Sequence, residues 1–105
     1  MKIIWSERAA FRVKETASYI KKEFGNKSKL KFLGEIDSVV SVLKFNPKMG
    51  ALDPFLTDFP VEIRSVRVND LNRIVYYIDN KSIVIVSFRD NRRDPKDFAD
   101  DVDFL

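Results

Sequence analysis

The sequence predicts an α+β fold: an antiparallel sheet, made of an N-terminal strand and a three-stranded meander, packed against an N-terminal α-helical hairpin and followed by a short C-terminal helix or tail. Three observations predict it. The chain opens on the apolar, β-branched run KIIW; two stripes of helical period fill the next forty residues; and three short apolar runs separated by turn residues follow residue 62.

The opening run, Lys2 to Trp5, ends at Ser6, a natural helix N-cap followed by the acidic Glu7. A helix then runs to about Phe24, with Ala10, Val13, Ala17, Ile20 and Phe24 on one face and Gly25 able to stop it in the left-handed conformation. Ser28 can cap a second helix of about sixteen residues whose stripe is Leu33, Ile36, Val40 and Leu43, broadened by Phe32 and Val39. The short GNK turn makes the pair an antiparallel hairpin, and its apolar stripe needs a sheet to cover.

Residues 45–62 hold three prolines and no steady period, so they read as a connection with the apolar anchors Phe55, Leu56 and Phe59. Strands are expected at about Ile63 to Val68, Arg73 to Asp79 and Ser82 to Phe88, joined by turns at Asn69-Asp70 and Asn80-Lys81. Ile74, Tyr76 and Ile78 face one way, and Arg73, Val75 and Tyr77 the other. One apolar face meets the helices, and the tail from Pro95 onward is the segment expected to cover the second. In that tail Phe98, Val102 and Phe104 are possible contacts, while Asp100, Asp101 and Asp103 read as a solvated acidic terminus.

A chain of 105 residues, 45% apolar and 33% charged, is one folded domain spanning residues 1–105. It has no cysteine and no histidine, which excludes disulfides, thiolate metal sites and Cys or Ser-His nucleophiles. No cofactor or metal is implied. No apolar stretch approaches the ~18 residues of a membrane span, the start does not read as a signal peptide, and a cytoplasmic location with no membrane partner is expected.

The net charge of +3 is unevenly placed, with eleven Lys or Arg against five Asp or Glu in residues 1–50, and eight against eleven thereafter. The stretch SFRDNRRDP carries three arginines directly after the apolar IVIV run. In a hairpin the start of one strand lies beside the end of the next, so Arg73 and Arg89 should be neighbours, with Arg64 near them. Planar guanidinium forks gathered at one sheet end suit a phosphate. Pairing with Asp90, Asp94 and Asp97 as a solvated surface network fits the same spacing.

The order of these pieces resembles the RelE/ParE family of type II toxin-antitoxin toxins over nearly the whole chain. IIWSERA resembles the family's opening strand and helix start, ASYIKKEFG and VLKFNPKMG its two helix ends, and NRIVYYIDNKSIVIVSFRDNRRDP its central hairpin with a basic residue before one strand and a basic turn after the next. The resemblance implies a toxin that arrests growth and is neutralised by a cognate antitoxin. RelE-like members cleave messenger RNA on the ribosome, without metal; ParE-like members inhibit DNA gyrase without catalysis; a degenerate toxin would bind its antitoxin alone.

The first of these is the leading expectation, the second the alternative. Carried over by position, Arg73 and Arg92 become the expected catalytic pair, with Arg64, Arg89, Arg93 and Phe98 as substrate-binding residues. Phe98 stands where RelE-like enzymes often keep a tyrosine, and phenylalanine transfers no proton. Val75, Tyr77 and Ile85 are the expected antitoxin contacts, on an apolar sheet face that an amphipathic acidic segment could cover.

Overall fold

A computed structural model describes residues 1–102, without the side chains of Pro95, Ala99, Asp100 and Val102, so the expectations placed on Asp100, Val102, Asp103 and Phe104 lie outside it. In chain order the elements are β1 (Lys2–Trp5), α1 (Glu7–Phe24), α2 (Asn26–Phe45), β2 (Ala51–Leu52), β3 (Arg64–Arg67), β4 (Asn72–Asp79), β5 (Ser82–Asp90) and a 3₁₀ helix (Pro95–Val102). The five strands form one sheet in the order β1-β5-β4-β3-β2. All pairs are antiparallel except β1 with β5, so the sheet is mixed. β1 runs parallel to β5 at the edge of the sheet, with both helices and β2 to β4 between the two in sequence.

Ser6 caps α1 as its sequence position implies, its Oγ accepting from the Ala9 N–H at 3.0 Å. The turn between the helices is shorter than expected. Gly25 alone separates them, at φ 94°, ψ 172°, a conformation that ends α1 and begins α2 in one residue. Ser28 therefore lies inside α2 and bonds back to the Phe24 carbonyl instead of capping.

The helix-facing core joins Ala9, Ala17, Phe32, Ile36 and Leu43 to Ile74, Tyr76, Ile83, Ile85 and Phe88. Phe32 meets Phe88 edge to face, with ring centroids 5.7 Å apart. Ala10 gives way to Ala9 at the centre of the α1 stripe, and Phe24 is exposed. Among the described residues no helix is long and apolar enough to cross a membrane.

The second sheet face is covered at its centre by the preceding connection and by the tail only at one end, where Asp101 takes the Ser87 hydroxyl and Phe98 lies beside Arg89. Ile63, Val75 and Val86 form its buried cluster, and Leu56, Phe59 and Val61 from the preceding connection pack over it. Phe55, the third expected anchor, stays exposed. The connection of residues 53–62 runs from β2 to β3 and lays Leu56, Phe59 and Val61 over the face.

Tyr76 fastens the segment between α2 and β2. Its hydroxyl donates to the Pro47 carbonyl at 2.6 Å and accepts from the Gly50 N–H at 3.0 Å. A Cβ on Gly50 would fall 2.7 Å from this hydroxyl and 2.8 Å from the Ser65 carbonyl, so the close approach needs glycine. Tyr76→Phe should therefore cost about 1–3 kcal/mol by leaving both backbone partners unmet. Urea denaturation measures it, and wild-type stability would show that the hydroxyl is not what holds residues 47–50.

Candidate functional site

The feature that positions the site is a bulge between β4 and β5. Asp79 pairs with Ser82 and Tyr76 with Ile85, but Val75 then pairs with Ser87, leaving Val86 as the extra residue. Beyond it Ile74 faces Phe88 and Arg73 faces Arg89. On the other side of β4, Arg73 is opposite Arg67. Three guanidinium-bearing residues thus form one cross-strand row, Arg67-Arg73-Arg89, on the face away from the helices.

This row lines a cleft of about 270 Å³ together with Asp53, Phe55, Asp90, Asn91, Arg93 and Phe98. Arg73 is braced from two sides, Nε donating to Asn91 at 3.1 Å and Nη1 to Ser65 at 3.0 Å. Arg89 is buried, 6% exposed, and its Nη1 donates to the equally buried Asp53 at 3.0 Å. Burial pulls its pKa down, as does the neighbouring Arg73 cation, while Asp53 and Asp101 oppose the shift. Its Nε is buried without a hydrogen-bond acceptor among the described residues.

The 3₁₀ helix closes one end of the cleft. Phe98 is 2% exposed, with the Arg12 guanidinium carbon 4.7 Å, that of Arg93 4.8 Å and that of Arg89 5.8 Å from its ring centre. Asp101 fastens the same helix. Its carboxylate accepts from Arg12 Nε at 2.7 Å and Nη2 at 3.0 Å, and from the Ser87 hydroxyl at 2.6 Å, with Arg8 at 3.8 Å. Asp101 is thus a buried ion-pair partner, against the expectation of a solvated acidic terminus. β1 stops opposite Ile85, so the outer edge of β5 beyond that point is free to receive this helix.

The residues singled out from the sequence separate into different places. Arg73, Arg89, Arg93 and Phe98 meet at the cleft. Arg92 does not: its guanidinium folds back on Asp90 at 2.8–3.0 Å, lowering the Asp90 pKa, and lies in a groove of about 570 Å³ against α1, with Tyr19, Ile20, Phe24 and Leu71. Arg64 pairs with Tyr76 rather than with Arg73, and its Nη1 donates to the Gly50 carbonyl at 2.8 Å on the helix side. Arg67, three residues on, takes the place foreseen for it.

Val75 and Ile85 are fully buried, and on opposite faces, in the second cluster and the helix-facing core respectively; Tyr77 is half-buried beside Val75. The three therefore share no surface. The two-residue turn at Asn80-Lys81 already puts Ile85 opposite Tyr76, so its face could have been counted from the sequence. No local signal marks Arg12, Asp53 and Asp101, because the ion pairs Arg12–Asp101 and Arg89–Asp53 join residues 89 and 36 positions apart. Tyr76 and Tyr77 supply no ready proton: burial raises both pKa values, and Tyr76 is committed to residues 47–50.

The family model described as the ParE toxin of type II toxin-antitoxin system, parDE, matches residues 3–95. Among solved structures the chain is similar to one described as the chromosomal ParDE TA system from P. aeruginosa, at TM-score 0.69 and 20% identity, over 86% of this chain and 95% of that one. It is similar to the YoeB dimer from Staphylococcus aureus at TM-score 0.55 and 21% identity, over 83% and 92%. A YoeB/ParE toxin from Agrobacterium tumefaciens gives TM-score 0.58 and 16% identity, over 87% and 99%. No curated protein matches significantly. At these identities the structural likenesses speak for the fold.

The Asp101 pairing has a measurable consequence. Asp101→Asn should destabilise the chain by about 3 kcal/mol, the low end for breaking a buried ion pair because Arg12 keeps 15% exposure. It should also open the segment after Asp94 to limited proteolysis before global unfolding. Unchanged stability and an unchanged cleavage pattern would mean that Asp101 does not hold the 3₁₀ helix.

Proposed function

The chain belongs to the ParE toxin family of type II toxin-antitoxin systems, and from that premise we propose that it arrests growth by binding and inhibiting DNA gyrase, without catalysis of its own. The observation that carries this reading is the state of the cleft's titratable groups. Asp53 is paired with buried Arg89, and Asp90 is engaged by Arg92 with its pKa lowered. Phe98 fills the end of the cleft between guanidinium groups. General acid-base work needs a group free to exchange a proton near working pH, and the described residues lining the cleft present arginines and engaged carboxylates instead.

The row Arg67-Arg73-Arg89 favours a second reading, ribosome-dependent messenger RNA cleavage, in which the arginines would hold phosphate while the substrate's own 2′-hydroxyl attacks. The two readings part in cells. After expression without antitoxin, thymidine incorporation should fall before methionine incorporation, and the purified chain should inhibit gyrase supercoiling. Early loss of methionine incorporation with cut messages would replace the first reading by the second. Arrest of neither would remove both.

A cognate antitoxin neutralises a toxin of this class. We propose that it lies along α1, where Phe11, Tyr19 and Phe24 are exposed and a groove lined by Tyr19, Ile20, Phe24 and Leu71 can take the apolar side of an amphipathic segment. This surface takes the place of the sheet residues Val75, Tyr77 and Ile85, which the fold itself uses. A Tyr19→Glu, Phe24→Glu double variant should stay toxic when its antitoxin is co-expressed. Continued neutralisation would reject α1 as the contact.

A further inference from the structure

The tip of the helical hairpin carries charge that its surroundings do not answer. Residues 21–31, KKEFGNKSKLK, hold five lysines against the single Glu23. Among the described residues every ion pair uses an arginine, so none of the five lysines has a carboxylate partner there. Lys21 and Lys22 lie in the last turn of α1, where the carbonyl end of a helix favours cations. Lys27, Lys29 and Lys31 lie at the start of α2, where the same dipole disfavours them, with no acidic residue in the first turn and no side-chain cap at Gly25. Local helix chemistry thus explains the first two lysines and runs against the other three.

Two large apolar side chains stand among these lysines. Phe24 is 68% exposed and Leu30 59% exposed, and neither belongs to a core cluster. Leu30 and Lys31 follow Lys27 at spacings of three and four, so an apolar group and two cations share one outward face of α2. The buried Phe32 and Ile36 lie on the opposite face.

We propose that the hairpin tip docks on an anionic lipid surface, with Leu30 and Phe24 entering the headgroup layer and the lysines meeting its negative charge. Among the described residues no helix is long and apolar enough to cross a membrane, so the contact is peripheral. The expectation of no membrane partner rested on the lack of a spanning stretch, which a surface contact does not need. Charge selects the sign of the partner, and the apolar pair selects its kind. Five lysines fall in the range of roughly four to eight basic residues that marks attraction to an anionic bilayer. Lysine heads on flexible stems suit a fluid array of charges, which asks for no fixed fork geometry. The layer beneath the headgroups takes an aliphatic leucine, which a nucleic-acid backbone does not. The contact stands apart from both readings of growth arrest. Phe24 also lines the groove along α1, so the test rests on Leu30 and the α2 lysines, which line neither that groove nor the cleft.

The test is cosedimentation of the whole chain with vesicles of phosphatidylcholine containing about one-third phosphatidylglycerol, against vesicles of phosphatidylcholine alone. Binding should require the anionic lipid and weaken as salt is raised. A triple variant, Lys27→Gln, Lys29→Gln and Lys31→Gln, should weaken it about a hundredfold, each lysine near such a surface giving about fivefold. A second triple variant, Lys2→Gln, Lys44→Gln and Lys81→Gln, removes the same charge at the other end of the molecule, where the Met1 amino group bonds the Lys44 carbonyl and the Lys2 N–H the Lys81 carbonyl. It should leave binding within about twofold, because charges so far from the surface are screened. Leu30→Ser should weaken binding about tenfold with its salt dependence unchanged, the loss of one inserted leucine. Circular dichroism confirms that each variant is folded, and Leu30→Ser keeps the test open if the first triple variant is not.

Equal losses in the two triple variants, or unchanged binding of Leu30→Ser, overturn the assignment to the tip. Absence of binding, or binding to phosphatidylcholine alone as strong as to the mixed vesicles, overturns it as well. Duplex DNA bound more tightly than the vesicles, and weakened by the same three α2 changes, makes nucleic acid the partner instead and rejects the lipid surface.

Discussion

The bulge at Val86 is the constraint on which the rest of the structure depends. A hairpin with a two-residue turn pairs Asp79 with Ser82, and an unbroken ladder would put Val86 opposite Val75, Ser87 opposite Ile74 and Phe88 opposite Arg73. Facing alternates strictly along a strand, so Phe88 would then leave the core and Arg89 would enter it. The inserted residue reverses both. Phe88 returns to meet Phe32 under the helices, and Arg89 swings to the other face beside Arg73. Core packing and cleft are thus two results of one irregularity, which makes the bulge costly to remove.

An arginine at position 89 is buried on the far face only because other parts of the chain answer its charge. Asp53 does so from the start of the connection that covers the second face, where its backbone N–H bonds the Ile63 carbonyl and its side chain caps Phe55. Asp101 does the same for Arg12 from the C-terminal 3₁₀ helix. Taking such charges out of water costs several kcal/mol per ion unless the geometry is good, and here the contacts are 2.7–3.0 Å. These pairs do more to fix where the connection and the 3₁₀ helix lie than to add net stability. Phe98, wedged among guanidinium groups, fills the remaining space with a ring whose face suits cations.

Much of the fold was legible because it rests on local signals. The bounds of β1 and α1, the stripe of α2 and the facing of Ile74, Tyr76 and Ile78 all follow from period and capping. The neighbourhood of Arg73 and Arg89 was legible for a coarser reason, since hairpin ends meet whatever the register. What failed needed either a shift in register or a partner distant in sequence. Arg64 and Arg67 differ by three residues and so stand on opposite faces, a distinction lost when the Asn69-Asp70 turn was placed without its pairing. Asp101 looked like one of several tail carboxylates, and nothing within ten residues marks it as the partner of Arg12. The covering of the second face by residues 53–62 was hidden because an aperiodic, proline-rich segment carries no facing signal of its own.

The same bulge divides the basic stretch SFRDNRRDP between two surfaces. Arg89 and Arg93 serve the cleft, whereas Arg92, bound to Asp90 through both carboxylate oxygens, belongs to the groove along α1. Asp90 lines both and lies between them. Under the proposed reading, target and antitoxin would then meet different faces of one strand end rather than compete for the same arginines. Neutralisation would have to act by bulk or by displacing what lies between the faces, because α1 carries both the groove residues Tyr19 and Phe24 and, about two to three turns earlier, the Arg12 that holds Asp101. A segment that settles on α1 therefore reaches the helix whose Arg12 fixes the 3₁₀ helix, and through Phe98 the end of the cleft. Under that reading, coupling between the two surfaces would run through contacts already in place, Arg12 to Asp101 and Arg12 to Phe98.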